Sequence, residues 1–467
     1  MNASMRMSRF LGFGAVAAYL LVCNTDHGLA LADNSQTVSQ LVVTASASDL
    51  ANRNQGGEDE RCGRDRQWFS AWGARGPLST TITTKTTFNE KVPDLSGSTV
   101  RIMAHLTAGG SQVRVRFSQR FSSVPLVVDT AHVAIRGANS EIVSDTDRAL
   151  AFGGAPSLLV PAGGDVWSDP VKLRTHAGDD LAISFYVSGS FVPTTYGCRG
   201  TTKTSYYQAG NHVSDPSLPG ASKTLNVFGA YEVQVLSHGA TATLVALGDS
   251  ITEGAVSTLD ANGDWPDLLA ARMPRLPDGT AVSVFNAGIG SGRFVSSNGA
   301  GLCGLTRLNE LLAMPLVRWV TLLMGVNDIS YEHATASLLE NAYAVAISEA
   351  HAAGKKIIGI PILPFGHSVK DEGSNKQIAQ EVNTWVRAHN KRLGAPEPSF
   401  DAVVDLEPVV KDPNDPEWAM NPALAAPDRV HPNQAGYTAI ADTFPLDVFY
   451  GDRDDDGSRS DDCHHER

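Results

Sequence analysis

From Thr241 onward, short apolar runs alternate with longer mixed segments, and this pattern predicts strands at residues 243–247, 282–286, 319–324, 356–360 and 402–406. Helices are expected at residues 265–273, 338–353 and 378–392. Strands and helices in alternation imply a parallel sheet covered by helices on both faces, since each parallel connection must cross back over the sheet. Upstream the pattern differs. Between residues 67 and 240, segments such as Val113-Arg114-Val115-Arg116-Phe117 alternate apolar and polar positions, and Leu181-Ala182-Ile183-Ser184-Phe185-Tyr186-Val187 has strand composition. Gly, Pro and Ser turns separate these segments, which reads as a β-sandwich-like accessory domain before an α/β domain at residues 241–450.

The two ends carry no such periodicity. Arg6 and Arg9 precede an apolar stretch from Phe10 to Cys23, and Ala30-Leu31-Ala32 offers a small-residue cleavage site, so residues 1–32 are expected to be a signal peptide. The stretch is too short to span a bilayer comfortably. Residues 33–66, rich in Ser, Thr, Asn and Gly, read as a flexible linker, and residues 451–467, crowded with Asp454-Asp455-Asp456 and Asp461-Asp462, as a solvated acidic tail.

With 467 residues, 42% of them hydrophobic and 19% charged, the chain suits two or three domains with substantial cores. A formal net charge of −13 disfavours nucleic acid and anionic membranes as partners and leaves neutral substrates easier to accommodate. Export predicts a periplasmic or secreted location, where the four cysteines left after cleavage, Cys62, Cys198, Cys303 and Cys463, are free to form disulfides in any of three pairings. Free buried thiols are the alternative.

Candidate chemistry begins where the first α/β strand ends, at Leu247-Gly248-Asp249-Ser250. A serine hydroxyl needs an adjacent base to become a nucleophile. Asp428-Arg429-Val430-His431-Pro432 supplies an imidazole, and an acid three residues before it that can fix the imidazole's tautomer. Tetrahedral intermediates also need preorganised donors. Asn327, in Gly325-Val326-Asn327-Asp328 after another strand, offers a side-chain amide, and the glycine-rich Phe285-Asn286-Ala287-Gly288-Ile289-Gly290-Ser291-Gly292-Arg293 offers backbone N–H groups. No Gly-x-Ser-x-Gly occurs, which argues against a nucleophile elbow. There is no Walker loop, His-Glu-x-x-His helix or Cys-x-x-Cys pair, and no metal or organic cofactor is implied.

These four blocks, in this order, resemble those of the SGNH subgroup of GDSL esterases and lipases. The resemblance implies a flavodoxin-like three-layer α/β/α fold and an acyl-enzyme mechanism. Carried over residue by residue, it makes Ser250 nucleophile and backbone oxyanion donor, Asn327 the side-chain donor, Asp428 the orienting acid and His431 the base. The second block departs from the usual Asn-x-x-x-x-Gly, because Ser291 stands five residues after Asn286, flanked by Gly290 and Gly292. Which of these three amides donates is left open. The upstream region, with Trp72, Gly110-Ser111-Gln112-Val113-Arg114-Val115-Arg116 and Val166-Trp167-Ser168-Asp169-Pro170, looks like the β domain of extracellular xylan-esterase-like members. That likeness implies acetyl groups on polysaccharide as substrate, with a lipase, arylesterase or thioesterase as the nearest alternative and a catalytically silent glycan-binding protein as another. Each motif also has a structural reading: Asp249 as a group bonding nearby amides, Asn327-Asp328 as a turn or cap, and His367 and His389 as surface or satisfied structural groups.

Overall fold

The computed structural model describes residues 66–73, 78–79, 92–193, 195–196, 203–237, 239–297 and 302–450. The expected signal peptide and acidic tail, nearly all of the linker, and Cys23, Cys62, Cys198 and Cys463 lie outside the described residues.

Thr241–Gly248 is buried at every position, as a strand covered on both faces must be. It belongs to a five-stranded sheet whose order is Ala281–Gly288, Thr241–Gly248, Val317–Leu323, Lys356–Gly359, Ala402–Val403. Every neighbouring pair is parallel. Along the chain this is the order 2-1-3-4-5, so the connections reverse direction between Thr241–Gly248 and Val317–Leu323. At such a reversal the loops part and open a crevice at the carboxyl ends of the strands, where ligands of open α/β sheets bind.

Alternation of side chains along each strand feeds two cores. Val245 and Leu247 pack with Leu305, Leu308, Leu339, Tyr343 and Val382, from the helices Gly304–Leu312, Ala336–Ala352 and Asn375–Ala388. Leu244 and Ala246 pack with Trp265, Leu269, Tyr437 and Ile440, from the helices Trp265–Arg272 and Gln434–Thr443. The sheet therefore lies between two helical layers, the expected α/β/α arrangement.

Some element boundaries differ from expectation for local reasons. The strand expected at residues 402–406 stops at Val403, because Leu406 already caps the short helix Glu407–Val410. The helix expected at residues 378–392 begins earlier, at Asn375, and ends at Ala388, with Lys391–Leu393 forming a separate tight turn.

In the amino-terminal region a four-stranded antiparallel sheet (Trp68–Gly73, Ala230–Leu236, Val113–Ser118, Asp165–Trp167) and a six-stranded one built around Ser98–His105, Asp180–Val187 and Thr130–Ile135 share a single core. Val113, Val115 and Phe117 enter that core while Arg114 and Arg116 stay outside it, which accounts for the alternation in the sequence. Trp68–Gly73 packs against Ala281–Gly288, the edge strand of the parallel sheet, and so shields an otherwise open edge. The Val284 N–H donates to Thr107 Oγ1 across this boundary at 3.2 Å, and Ile289 joins the β core.

Candidate active site

At the carboxyl end of Thr241–Gly248 the chain turns directly into the short helix Ser250–Glu253. Asp249 starts it as N-cap, its Oδ1 accepting the Ile251 N–H at 3.0 Å. Burial pushes the Asp249 carboxyl up to about 6 in spite of that amide, and at 1% exposure it has the structural character expected of it. Gly288 makes room for the turn, since a Cβ there would lie 2.1 Å from the Glu253 nitrogen.

Ser250 Oγ lies 2.7 Å from His431 Nε2, and His431 Nδ1 lies 2.7 Å from Asp428 Oδ2. Asp428 Oδ1 in turn accepts the backbone N–H groups of Val430 and His431, both at 3.0 Å, so one carboxylate shapes the turn and orients the ring. Burial would raise this carboxyl, but the His431 ring and those two amides outweigh it and hold it well below the usual carboxylate range. An ionised Asp428 can only accept, so the proton of a neutral imidazole sits on Nδ1. Nε2 is then the lone-pair side, and the Ser250 hydroxyl donates to it. The His431 segment is pinned from behind, its carbonyl accepting the Ala426 N–H at 2.8 Å and Asn433 capping Gln434–Thr443 through the Gly436 N–H.

Across the reversal point, Asn327 lies in the first turn of the helix Val326–Glu332, directly after Val317–Leu323. It is 4% exposed, and one Nδ2 hydrogen reaches the Gly292 carbonyl at 3.0 Å. Its Oδ1 accepts from Lys370 Nζ at 2.9 Å. The amide orientation is thus fixed from both ends, with the second Nδ2 hydrogen left over. Among the three glycine-loop amides, Gly292 N–H closes a turn onto the Ile289 carbonyl at 2.9 Å and is thereby engaged. Ser291 has φ 57°, the left-handed region that glycine enters freely, and it is exposed where Gly290 is buried. Asp328 ties this loop to the helix, receiving the Phe294 and Val295 N–H groups at 2.8 and 2.9 Å. Its own burial pushes it up to about 6, against the pull of those amides.

Ser250, His431, Asp428, Asn327 and the glycine loop therefore gather at one end of the sheet. The sequence reading missed Lys370: no spacing marks it, and it reaches Asn327 from a loop. Asp328 stood inside the Gly-Val-Asn-Asp block, which was its only signal. His367 pairs with Asp415 at 2.9 Å and His389 stacks on Trp385 at 3.8 Å, so both have structural partners. Cys303 is disulfide-bonded, which removes the free-thiol alternative for that residue.

Two cavities matter for location. One of about 780 Å³, lined by Thr107, Arg174, His176, Arg275 and others, lies where Thr241 and Ala281 begin their strands, at the opposite end of the sheet from Ser250. A small one of about 10 Å³ lies beside Asp249, lined by Ile251, Met324, Val326, Ile362, Phe365 and Val430.

Residues 246–439 match the model of the GDSL-like Lipase/Acylhydrolase family. No curated protein matches the chain. Similar solved structures include an aryl esterase of M. smegmatis (17% identity, TM-score 0.34, covering 43% of this chain and 94% of that one). Est24, a carbohydrate acetylesterase from Sinorhizobium meliloti, is 16% identical with a TM-score of 0.32 and the same coverage, 43% and 94%. A GDSL-like lipase from Bacteroides thetaiotaomicron VPI-5482 is 22% identical with a TM-score of 0.31, covering 43% of this chain and 84% of that one.

Proposed function

We propose, on the premise that residues 246–439 belong to the GDSL-like lipase/acylhydrolase family, that this carboxylic ester hydrolase is an exported serine esterase removing acetyl groups from polysaccharide. The observation that carries the mechanism is the unbroken relay from Asp428 through His431 to Ser250, with 2.7 Å at each step. Ser250 Oγ attacks the ester carbonyl carbon as Nε2 of His431 takes its proton. The carbonyl π electrons move onto oxygen, and the oxyanion receives the Ser250 N–H, the Ser291 N–H and the second Asn327 Nδ2 hydrogen. Collapse expels the sugar hydroxyl, protonated by His431, and leaves acyl-Ser250. Water then attacks that acyl group with His431 as base, releasing acetate and restoring the hydroxyl.

Acetyl as the acyl group follows from the likeness of the upstream region to the β domain of xylan-esterase-like members. The excess of acidic over basic residues supports a neutral ester over an anionic one. The disulfide at Cys303 supports export, since such bonds persist in oxidising compartments.

The test is acetate release by wild type and Ser250→Ala from p-nitrophenyl acetate and acetylated xylan, beside a long-chain p-nitrophenyl ester. Release from both acetyl substrates, absent in Ser250→Ala, is the expected result. Preference for the long chain would reassign the acyl specificity. Residual hydrolysis by the variant would remove Ser250 from its role.

A further inference from the structure

Lys370 is an unusual neighbour for an oxyanion donor. It is 6% exposed, in a loop between the sheet and the helix Asn375–Ala388. Its ammonium donates to Asn327 Oδ1 at 2.9 Å and lies 3.3 Å from the ring centroid of Tyr331. Asn327 and Tyr331 are four residues apart in Val326–Glu332, which places them on one face of that helix, and Lys370 sits against that face. The far side of the arrangement is also held. The Arg293 guanidinium, from the glycine loop, lies 5.5 Å from the same Tyr331 ring and pairs with Glu332 at 2.6 Å.

Among the described residues no carboxylate lies within salt-bridge distance of Lys370 Nζ; its contacts are an amide oxygen and an aromatic face. Asp249 feels its charge only through space, so this buried cation carries a desolvation cost that a neutral side chain of similar length would avoid. Its placement has two consequences. A cation accepts no hydrogen bond, so only the oxygen of the Asn327 carboxamide can face it, and the Nδ2 hydrogens are turned away from it, one onto the Gly292 carbonyl. The positive charge also draws electron density toward Oδ1, which makes the opposite N–H more acidic and a stronger donor, by the polarisation that links hydrogen bonds in series. In a site of low effective dielectric, charge one amide away still stabilises a developing oxyanion.

We infer that Lys370 is a positioning residue of the oxyanion hole, acting through Asn327: it fixes which end of the carboxamide faces the substrate and polarises the N–H that meets the oxyanion. The inference rests on the roles proposed for Ser250 and Asn327.

The test is a double-mutant cycle on p-nitrophenyl acetate hydrolysis, with wild type, Lys370→Met, Asn327→Ala and the double variant, and with Ser250→Ala in the same assay. If Lys370 acts through Asn327, Lys370→Met lowers kcat by about 10-fold with KM nearly unchanged, because the interaction develops in the transition state. In the Asn327→Ala background the same change then lowers kcat less than about 2-fold. Lys370→Arg, which keeps charge and donor, is expected to recover most of the loss. An equal fall in both backgrounds would mean a structural role and overturn the inference, as would Lys370→Met matching wild type. Should Lys370→Met not fold, Lys370→Gln keeps an N–H for Oδ1 without the charge and enters the same cycle. Activity persisting in Ser250→Ala would instead bring down the site assignment itself, so the two failures are separable.

Discussion

Asp428 Oδ2 and His431 Nδ1 are 2.7 Å apart, and the other oxygen of the same carboxylate accepts the backbone amide of His431 at 3.0 Å. One residue therefore sets both where the ring is and which nitrogen carries its proton. Asp428→Asn keeps the size of the side chain but can present an N–H to Nδ1, which favours the tautomer whose Nε2 is protonated and unable to receive the serine proton. We expect kcat to fall by ~10²–10⁴-fold with the fold retained. Steady-state kinetics alongside near-ultraviolet circular dichroism checks this, and a loss under 10-fold would mean that Asp428 only shapes the turn.

Asn327 is predicted to contribute through a single N–H. Asn327→Ala should lower kcat by ~10²-fold or more with little effect on KM, since the donor meets charge that develops after binding. Asn327→Asp is the sharper probe. It preserves a partner for Lys370 yet presents oxygen to the oxyanion, so it should be at least as impaired as the alanine variant. Recovery of activity in Asn327→Asp would show that packing, and not the N–H, is what matters at this position.

What the sequence made legible, and what it did not, divides by the range of the interactions. Val245 and Leu247 alternate with Leu244 and Ala246, and that local pattern was enough to foresee a strand covered on both faces. Three of the four blocks were visible because each follows a strand, and parallel strands deliver their carboxyl ends to one side; the Asp428–His431 block stood out by its acid–imidazole spacing alone. The helices Gly304–Leu312 and Val326–Glu332 were not foreseen. The first lies beyond the glycine loop, and the second starts at Val326 after Gly325, a residue that reads in sequence as a turn and takes a φ of 125° as the helix N-cap. Engagement of the Gly292 amide by Ile289 depends on loop conformation, which composition leaves open. Lys370 was out of reach for a related reason: its meeting with Asn327 spans 43 positions and arises from the path of a loop.

Gly288 is predicted to be intolerant of any side chain. A Cβ would meet the backbone nitrogen of Glu253 at 2.1 Å and the carbonyl carbon of Thr252 at 2.6 Å, and neither can yield as a flexible side chain would. Both belong to Ser250–Glu253, so the strain falls on the helix that carries the proposed nucleophile. Gly288→Ala should cost about 1–3 kcal/mol of stability. Displacing Ser250 by even ~1 Å should also lower kcat by about 10²-fold. Thermal denaturation and kinetics on the same preparation test both parts, and a variant of unchanged Tm and kcat would show that the helix has slack.

Two acids, Asp328 buried and Asp428 largely exposed, predict a pH dependence of stability. Asp328 is pushed up to about 6 by burial, from an ordinary value near 3.8, so the folded state holds its proton over a range in which the unfolded chain has released it. With more protons bound to the folded form, stability contributed by this group is present at about pH 4 and declines as pH rises toward 6. Asp428, depressed, works the other way, its stabilisation being lost as pH falls through and below its ordinary range. Subtracting one protein from another isolates the first effect. Asp328→Asn cannot ionise, so its Tm relative to wild type should climb between pH 4 and pH 6, by an amount corresponding to at most about 3 kcal/mol. A Tm difference that stays flat across that window would place the Asp328 carboxyl near its ordinary value and leave its amide contacts as its whole role.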